Sequence, residues 1–314
     1  MADRATGASK PVRSGLDLRV LRYFLAVAEE GNITWAADLL QVSQPTISRQ
    51  LKNLEDDLGV TLFHRGAHSV ELTNEGHLLY DRARTLVSLA DKTERDLRSS
   101  HERISGRIVL GCAESHGMAY LAQRIATFGR MHPGVRFDIR TVTADVAQDQ
   151  LEQGLLDFGL LAGPVSVNRY EYLRTHTPDH WGILMPADHP LASRRAIGPG
   201  DLVGERLIMP ARDEVMSEVM SWFGPYADRI DVAATFNLIL NAATMVSQGV
   251  GIAFSFDFGF RDGDLRYVPL SPSIGTDSVV VWKKDALMSA ASATFVDFLR
   301  SSLAGEGDGG DGKE

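Results

Sequence analysis

The stretch from Thr34 to Leu58, TWAADLLQVSQPTISRQLKNLEDDL, restricts this 314-residue chain more than any other. It reads as two short helices broken by a tight turn at Gln41-Val42. Ala36, Ala37 and Leu40 give the first helix a small apolar inner face, and Ser43 stands where its hydroxyl caps the second. Pro45 falls in that helix's first turn, where a missing N–H costs nothing. From there Ile47, Leu51, Leu54 and Leu58 recur at spacings of four, three and four, which makes one buried stripe.

The opposite face carries the information. At about 100° per residue, Pro45, Ser48, Arg49 and Lys52 point away from the stripe, with Thr46 and Asn53 on its flank. These hydrogen-bonding and cationic types gather toward the helix N-terminus, whereas Glu55, Asp56 and Asp57 come only at its C-terminal end. A helix entering a DNA major groove needs this layout, with base-reading groups leading and no carboxylate set against phosphates. An ordinary helical hairpin with a solvated polar face satisfies the period equally well, so the flanking sequence must decide.

From Leu21 to Gly76 the chain resembles the winged helix-turn-helix of LysR-type transcriptional regulators. The matching residues are Phe24, Val27, Ala28, Ala36-Ala37, Leu40, Ser43-Gln44-Pro45, Ser48, Leu54-Glu55, Leu58-Gly59, Leu62-Phe63, Arg65, Leu72-Thr73 and Gly76. Trp35 departs from the pattern, since relatives often carry a polar or basic residue there. The resemblance implies that Gln44, Pro45, Thr46, Ser48 and Arg49 face bases, and that Lys52 and Arg65 hold phosphate. The formal charge is −9, of which residues 1–100 contribute −1 and residues 101–314 contribute −8. This argues against indiscriminate nucleic-acid binding and leaves affinity to locally placed cations, with strong salt dependence.

The chain divides by composition. Residues 1–16 read as a disordered arm without the apolar core of a signal peptide. Residues 17–72 hold the winged helix-turn-helix, its first helix running from about Asp17 to Glu30. The wing is two extended pieces, Thr61–Arg65 and Val70–Leu72, with His64, Arg65 and His68 near its tip. Residues 73–100 form one long helix, capped by Thr73. Along it Leu79, Ala83, Leu86, Ala90, Thr93 and Leu97 alternate spacings of four and three, a heptad seam suited to a dimer. A helix packed within its own chain is the competing reading. A two-fold dimer would meet a pseudo-palindromic operator on double-stranded DNA.

Residues 105–303 alternate strand and helix patterns, beginning with the apolar run Arg107–Ala113, which means a largely parallel sheet. The element order resembles the two-lobed effector-binding domain of the same family, which is similar in turn to type II periplasmic binding proteins. Lobe I is expected at 105–175 and 266–303, lobe II at 176–265, with a loop from Gly163 to Pro178. Residues 304–314, glycine-rich and acidic, read as a disordered tail. The expected fold class is therefore α+β multidomain: an α-rich winged helix-turn-helix, a long linker helix and a two-lobed α/β effector-binding domain.

Ligands of open parallel sheets bind outside the carboxyl ends of strands. Ser115 and His116 follow the first strand and open a helix, whose N-terminal N–H groups suit an organic acid. Thr143, Arg212 and Asn237 occupy equivalent positions. Ser115 acting only as a helix cap is an equally good reading. Phe254-Ser255-Phe256 departs from the proline-containing loop often found there in the family. Cys112 shares strand parity with Ile108 and Leu110 and reads as an inert core thiol. The nine histidines lack ligand spacing for zinc, and no nucleotide-binding loop or nucleophile elbow is present, so neither metal, cofactor nor enzymatic activity is expected.

The resemblance implies a cytoplasmic regulator responding to a small-molecule effector, dimeric through the linker helix and tetrameric through the effector domains. RNA polymerase is a partner it allows, and no membrane is involved. The alternative is a cytoplasmic solute-binding or metabolic α/β protein whose N-terminal helices serve assembly.

Overall fold

The computed structural model describes residues 16–66, 69–98, 104–259 and 264–306. Residues 1–15 of the expected arm, the last two residues of the linker and the acidic tail beyond residue 306 lie outside them. The chain forms two compact units, Met1–Glu94 and Arg95–Glu314.

In the first unit, α1 (Leu18–Glu30), α2 (Ile33–Leu39) and α3 (Gln44–Leu58) bury a common apolar face. Asp17 caps α1 by accepting from Arg19 N–H at 2.7 Å, and Gly31, at φ +59°, ends it in the left-handed conformation. Asn32 caps α2 through Thr34 and Trp35 N–H. The stripe on α3 holds for Ile47, Leu51 and Leu54, which are buried with Phe24, Val27 and Ala36. Leu58 differs from expectation: it lies in the last turn, beyond the core, and is 37% exposed. Ser43 also differs. It occupies the N-cap position, but its hydroxyl bonds the Thr46 hydroxyl at 2.7 Å and no backbone N–H.

The strands β1 (Phe63–Arg65) and β2 (Val70–Leu72) pair antiparallel, Phe63 opposite Leu72. Glu55 anchors this wing to α3, since its Oε1 accepts from Leu62 N–H at 2.8 Å and Phe63 N–H at 3.2 Å. Thr73 caps α4 (Asn74–Arg98), accepting from Gly76 N–H at 2.9 Å. Gly76 packs so closely that a Cβ would sit 2.2 Å from the Leu62 carbonyl oxygen, so no larger residue fits.

The helix α4 is less free than its heptad spacing suggests. Ala83 is buried in the unit's own core and Leu79, Tyr80 and Val87 pack against it. An ion pair between Arg22 and Asp91 fastens α4 to α1. What faces solvent is Leu86 of that seam together with Leu78 and Leu89, which lie off it. The side chain of Leu97 lies outside the described residues.

The second unit carries two mixed sheets. In the first, β3 (Ser105–Cys112) lies parallel to both β4 (Gly134–Thr141) and β5 (Phe158–Ala162). Beyond β5 come β13 (Ser278–Lys283) and then β6 (Tyr170–Arg174), with β13 antiparallel to both neighbours. The helices α5 (Gly117–Met131) and α9 (Ala290–Glu306) cover one face, where Phe128, Phe158 and Phe295 form a ring cluster. The helix α6 (Ala144–Glu152) covers the other, which makes β3 a strand buried on both sides.

The second sheet has the order β11 (Leu265–Pro269), β7 (Asp179–Pro186), β10 (Ile252–Phe256), β8 (Arg206–Pro210), β9 (Asp231–Phe236), and the two-residue β12 (Gly275–Thr276) also pairs with β7. It is packed between α7 (Asp213–Phe223) and α8 (Ile239–Ser247).

Two boundaries are corrected. The expected loop at 163–178 contains β6, a largely exposed edge strand that is a strand only by pairing with β13. The return to the first lobe comes after Thr276, not at 266, because β11 pairs with β7 along its whole length.

Candidate nucleic-acid interface and ligand cleft

On α3, Gln44, Pro45, Arg49, Lys52 and Asn53 are exposed, while Thr46 and Ser48 are partly so. The buried stripe therefore forces the hydrogen-bonding residues of the first three turns outward together. Asp56 and Asp57 are exposed only at the far end of the helix. Of the wing residues, His64 is exposed, the backbone of Arg65 lies in β1, and the Arg65 side chain and His68 are outside the described residues. Trp35, in the first turn of α2, is 62% exposed.

In the second unit a cleft of about 270 Å³ opens at the carboxyl ends of β3, β4 and β5 on one side and β8 and β9 on the other. This is where open α/β sheets place their ligands. Thr143, Arg212 and Asn237 line it, each just past a strand end. Trp181, Phe236, Phe256 and Phe258 supply aromatic wall.

Two polar bridges cross the cleft. The Arg212 guanidinium reaches from the N-cap of α7 to the first lobe. There Nη1 donates to the Ala162 carbonyl at 3.1 Å, Nη2 donates to the Pro164 carbonyl, and Nε lies 3.3 Å from Asp145 Oδ1. In the other direction Glu114, following β3, accepts from Ile239 N–H at the start of α8, at 2.5 Å.

Ser115 and His116 are placed differently from the expected set and are not among the cleft lining. Ser115 is buried, 2.9 Å from the Ser278 hydroxyl, which is itself 3.2 Å from Asp179 Oδ2. Asp179 is fully buried and takes the His116 backbone N–H at 2.8 Å and His116 Nδ1 at 2.6 Å. On its other side His116 Nε2 meets the Asp257 carbonyl at 2.8 Å, and the ring stacks on Phe258. These contacts knot the β3–α5 loop to the two segments on which the chain crosses between sheets. Sequence reasoning passed over Glu114 and Asp179. Glu114 adjoins the residues singled out, but a helix N-terminus draws attention to donors. Asp179 joins the knot from 63 residues away and has no local signal.

Cys112 is buried, and that burial pushes its thiol up to about 12, against a smaller opposing effect of the Leu160 backbone hydrogen bond. At pH 8 the thiolate fraction is negligible. Ellman's reagent is expected to leave native Cys112 unmodified over an hour and to titrate one thiol after denaturation. Rapid reaction in the native state would refute the inert reading. Among the described residues no cluster of His, Cys, Asp or Glu is arranged to hold a metal ion, and no helix is long and apolar enough to cross a membrane.

A winged helix-turn-helix with a polar recognition face, followed by a two-lobed α/β domain with a ligand cleft, defines a ligand-responsive transcriptional regulator. Residues 18–77 match the model of the bacterial regulatory helix-turn-helix protein, lysR family, and residues 101–304 match the LysR substrate binding domain. The chain therefore belongs to the LysR family of transcriptional regulators and is not an enzyme. The solute-binding alternative falls with this match.

Among similar proteins, the Hca operon transcriptional activator HcaR of Escherichia coli is 26% identical over 297 residues, covering 92% of this chain and 99% of the relative. The probable RuBisCO transcriptional regulator of Synechocystis sp. is 29% identical over 240 residues, covering 74% and 70%. Of solved structures, CbnR shares the fold at a TM-score of 0.72 with 22% identity, covering 91% of this chain and 99% of its own. HinK of Pseudomonas aeruginosa is 27% identical at a TM-score of 0.53, covering 91% and 98%.

Proposed function

We propose that this regulator reads a pseudo-palindromic operator with Gln44, Pro45, Thr46, Ser48 and Arg49 at base edges and Lys52 and Arg65 on phosphate. The observation that carries the reading is the exposed, carboxylate-free leading half of α3. The protein acts in the cytoplasm as a homodimer that pairs into a tetramer, with RNA polymerase as a further partner. Its effector enters the cleft lined by Thr143, Arg212 and Asn237 and shifts the lobe arrangement by binding one arrangement more tightly. Ser115 and His116 act through the knot behind the cleft.

The test is a mobility shift on DNA flanking the protein's own gene at 50 and 200 mM salt. Two phosphate-binding cations per protomer make about four contacts in a dimer, so affinity is expected to fall by roughly 10²-fold while preference for that sequence over random DNA persists. Loss of the preference at both salts would end the proposal.

The dimer interface is expected on the solvent-facing apolar set of α4. Leu86→Asp combined with Leu89→Asp, at two positions outside the core of the first unit, is expected to convert the dimer to monomer at micromolar concentration in sedimentation equilibrium. An unchanged mass would move the interface elsewhere.

A further inference from the structure

We infer that Trp35 is a DNA contact of this regulator, an uncharged one that sets its indole on the sugar-phosphate backbone beside the groove entered by α3. The inference rests on the reading of α3 and the wing as the DNA-binding surface and adds a residue outside both.

Tryptophan is highly buried on average in folded proteins, and the other three in this chain comply. Trp181 and Trp282 are 6% and 3% exposed, and Trp222 packs on Phe223 and donates its indole N–H to the Pro272 carbonyl at 2.7 Å. Trp35 is 62% exposed. The pattern of α2 puts it there. Ala36 and Ala37 are buried in the first unit's core, and Ile33 and Leu40 pack against it. At about 100° per residue, Trp35 lies about 150° from the centre of that face, so it points away from the core.

The two elements assigned to DNA bracket α2. The Gly31 carbonyl, just before α2, accepts from Val70 N–H in β2 of the wing at 2.9 Å. At the other end Leu40–Ser43 lead directly into α3. In a helix-turn-helix whose second helix lies in the major groove, the first crosses the backbone. The first turn of α2 contains no acidic residue to repel phosphate and no cation to pair with it. An indole suits such a place, since its N–H donates to a phosphate oxygen and its body covers the apolar face of a deoxyribose. Residues 1–100 contribute a net charge of −1, so a neutral contact adds affinity that the module's few uncommitted cations do not supply.

The experiment measures binding of the full chain to labelled DNA flanking its own gene, and to random DNA of the same length, by fluorescence anisotropy between 50 and 200 mM salt. Trp35→Ala is expected to weaken both DNAs alike, by about tenfold or more. The slope of log affinity against log salt should not change, because a neutral contact releases no counterion. Trp35→Arg is expected to steepen that slope by about one unit per protomer. Trp35→Phe, which keeps a ring and loses the N–H, is expected to fall between the parent and alanine. A loss confined to the cognate DNA, or a flatter slope for Trp35→Ala, overturns the inference. Parent affinity for Trp35→Ala at every salt also overturns it, and leaves Trp35 and Leu39, 63% exposed one turn on, as a surface for a protein. Arg49→Ala and Lys52→Ala, measured alongside, separate this failure from a larger one. If they weaken binding and Trp35→Ala does not, only the tryptophan is discarded. If neither weakens binding, or the parent binds neither DNA, the assignment of α3 falls and the inference falls with it.

Discussion

Replacing Asp179 by alanine is expected to lower the stability of the Arg95–Glu314 unit by about 3 kcal/mol, read from the midpoint of urea unfolding followed by tryptophan fluorescence. The carboxylate is fully buried and takes donors from three directions: the His116 peptide N–H, the His116 ring and the Ser278 hydroxyl. Alanine removes all three acceptor contacts at once. The peptide N–H is then left in the interior without an acceptor, at a cost of about 1–3 kcal/mol, while the Ser278 hydroxyl keeps the Ser115 hydroxyl as a partner. Against this stands the relief of an expensive buried charge, which keeps the net below the sum. His116 retains its bond to the Asp257 carbonyl and is partly exposed, so water reaches it. Asparagine, which preserves shape and one acceptor, is expected to cost less. A loss below about 1 kcal/mol for alanine would show that the knot is incidental to stability.

Arg49→Ala is expected to weaken binding to the cognate operator by about 1–3 kcal/mol, with the loss confined to one base position in each half-site. Arg49 is exposed on α3, so its removal takes nothing from the core and the melting temperature should stay within a degree or two of the parent. Lys52→Ala provides the contrast. A residue on phosphate should weaken all sequences about equally and flatten the salt dependence by about one unit per contact. Binding to a panel of single-base operator variants distinguishes the two. An Arg49→Ala protein with unaltered base preference would remove this residue from base reading.

What was legible in the sequence was whatever leaves a local period. Ile47, Leu51 and Leu54 repeat at helical spacing because one face of α3 is buried throughout its middle. The run Ile108–Ala113 is apolar because helices cover both faces of β3 beyond the exposed Arg107. Leu58 kept the period but not the burial, since a helix can outrun the core it rests on. The Leu79–Ala83 part of the seam fits a partner helix and the chain's own α1 equally well, and spacing alone does not say which. Long-range pairings left no local trace. The edge strand β6 needs β13, more than a hundred residues later, to be a strand at all. The knot at Asp179 and the Glu114 bridge to α8 are likewise contacts between distant segments.

The placement of β13 bears on the order in which the molecule matures. This strand is inserted between β5 and β6, so the first sheet stays split until the polypeptide has been made as far as Lys283. The second sheet needs only the contiguous stretch from Asp179 to Thr276. On a ribosome the later-encoded lobe can therefore close while the earlier one waits with β5 unpaired on one side, and such an open edge is where a nascent chain is most prone to join a neighbour. Translation through β13 is what relieves that exposure, so products truncated before Lys283 are expected to aggregate more readily than their length alone suggests.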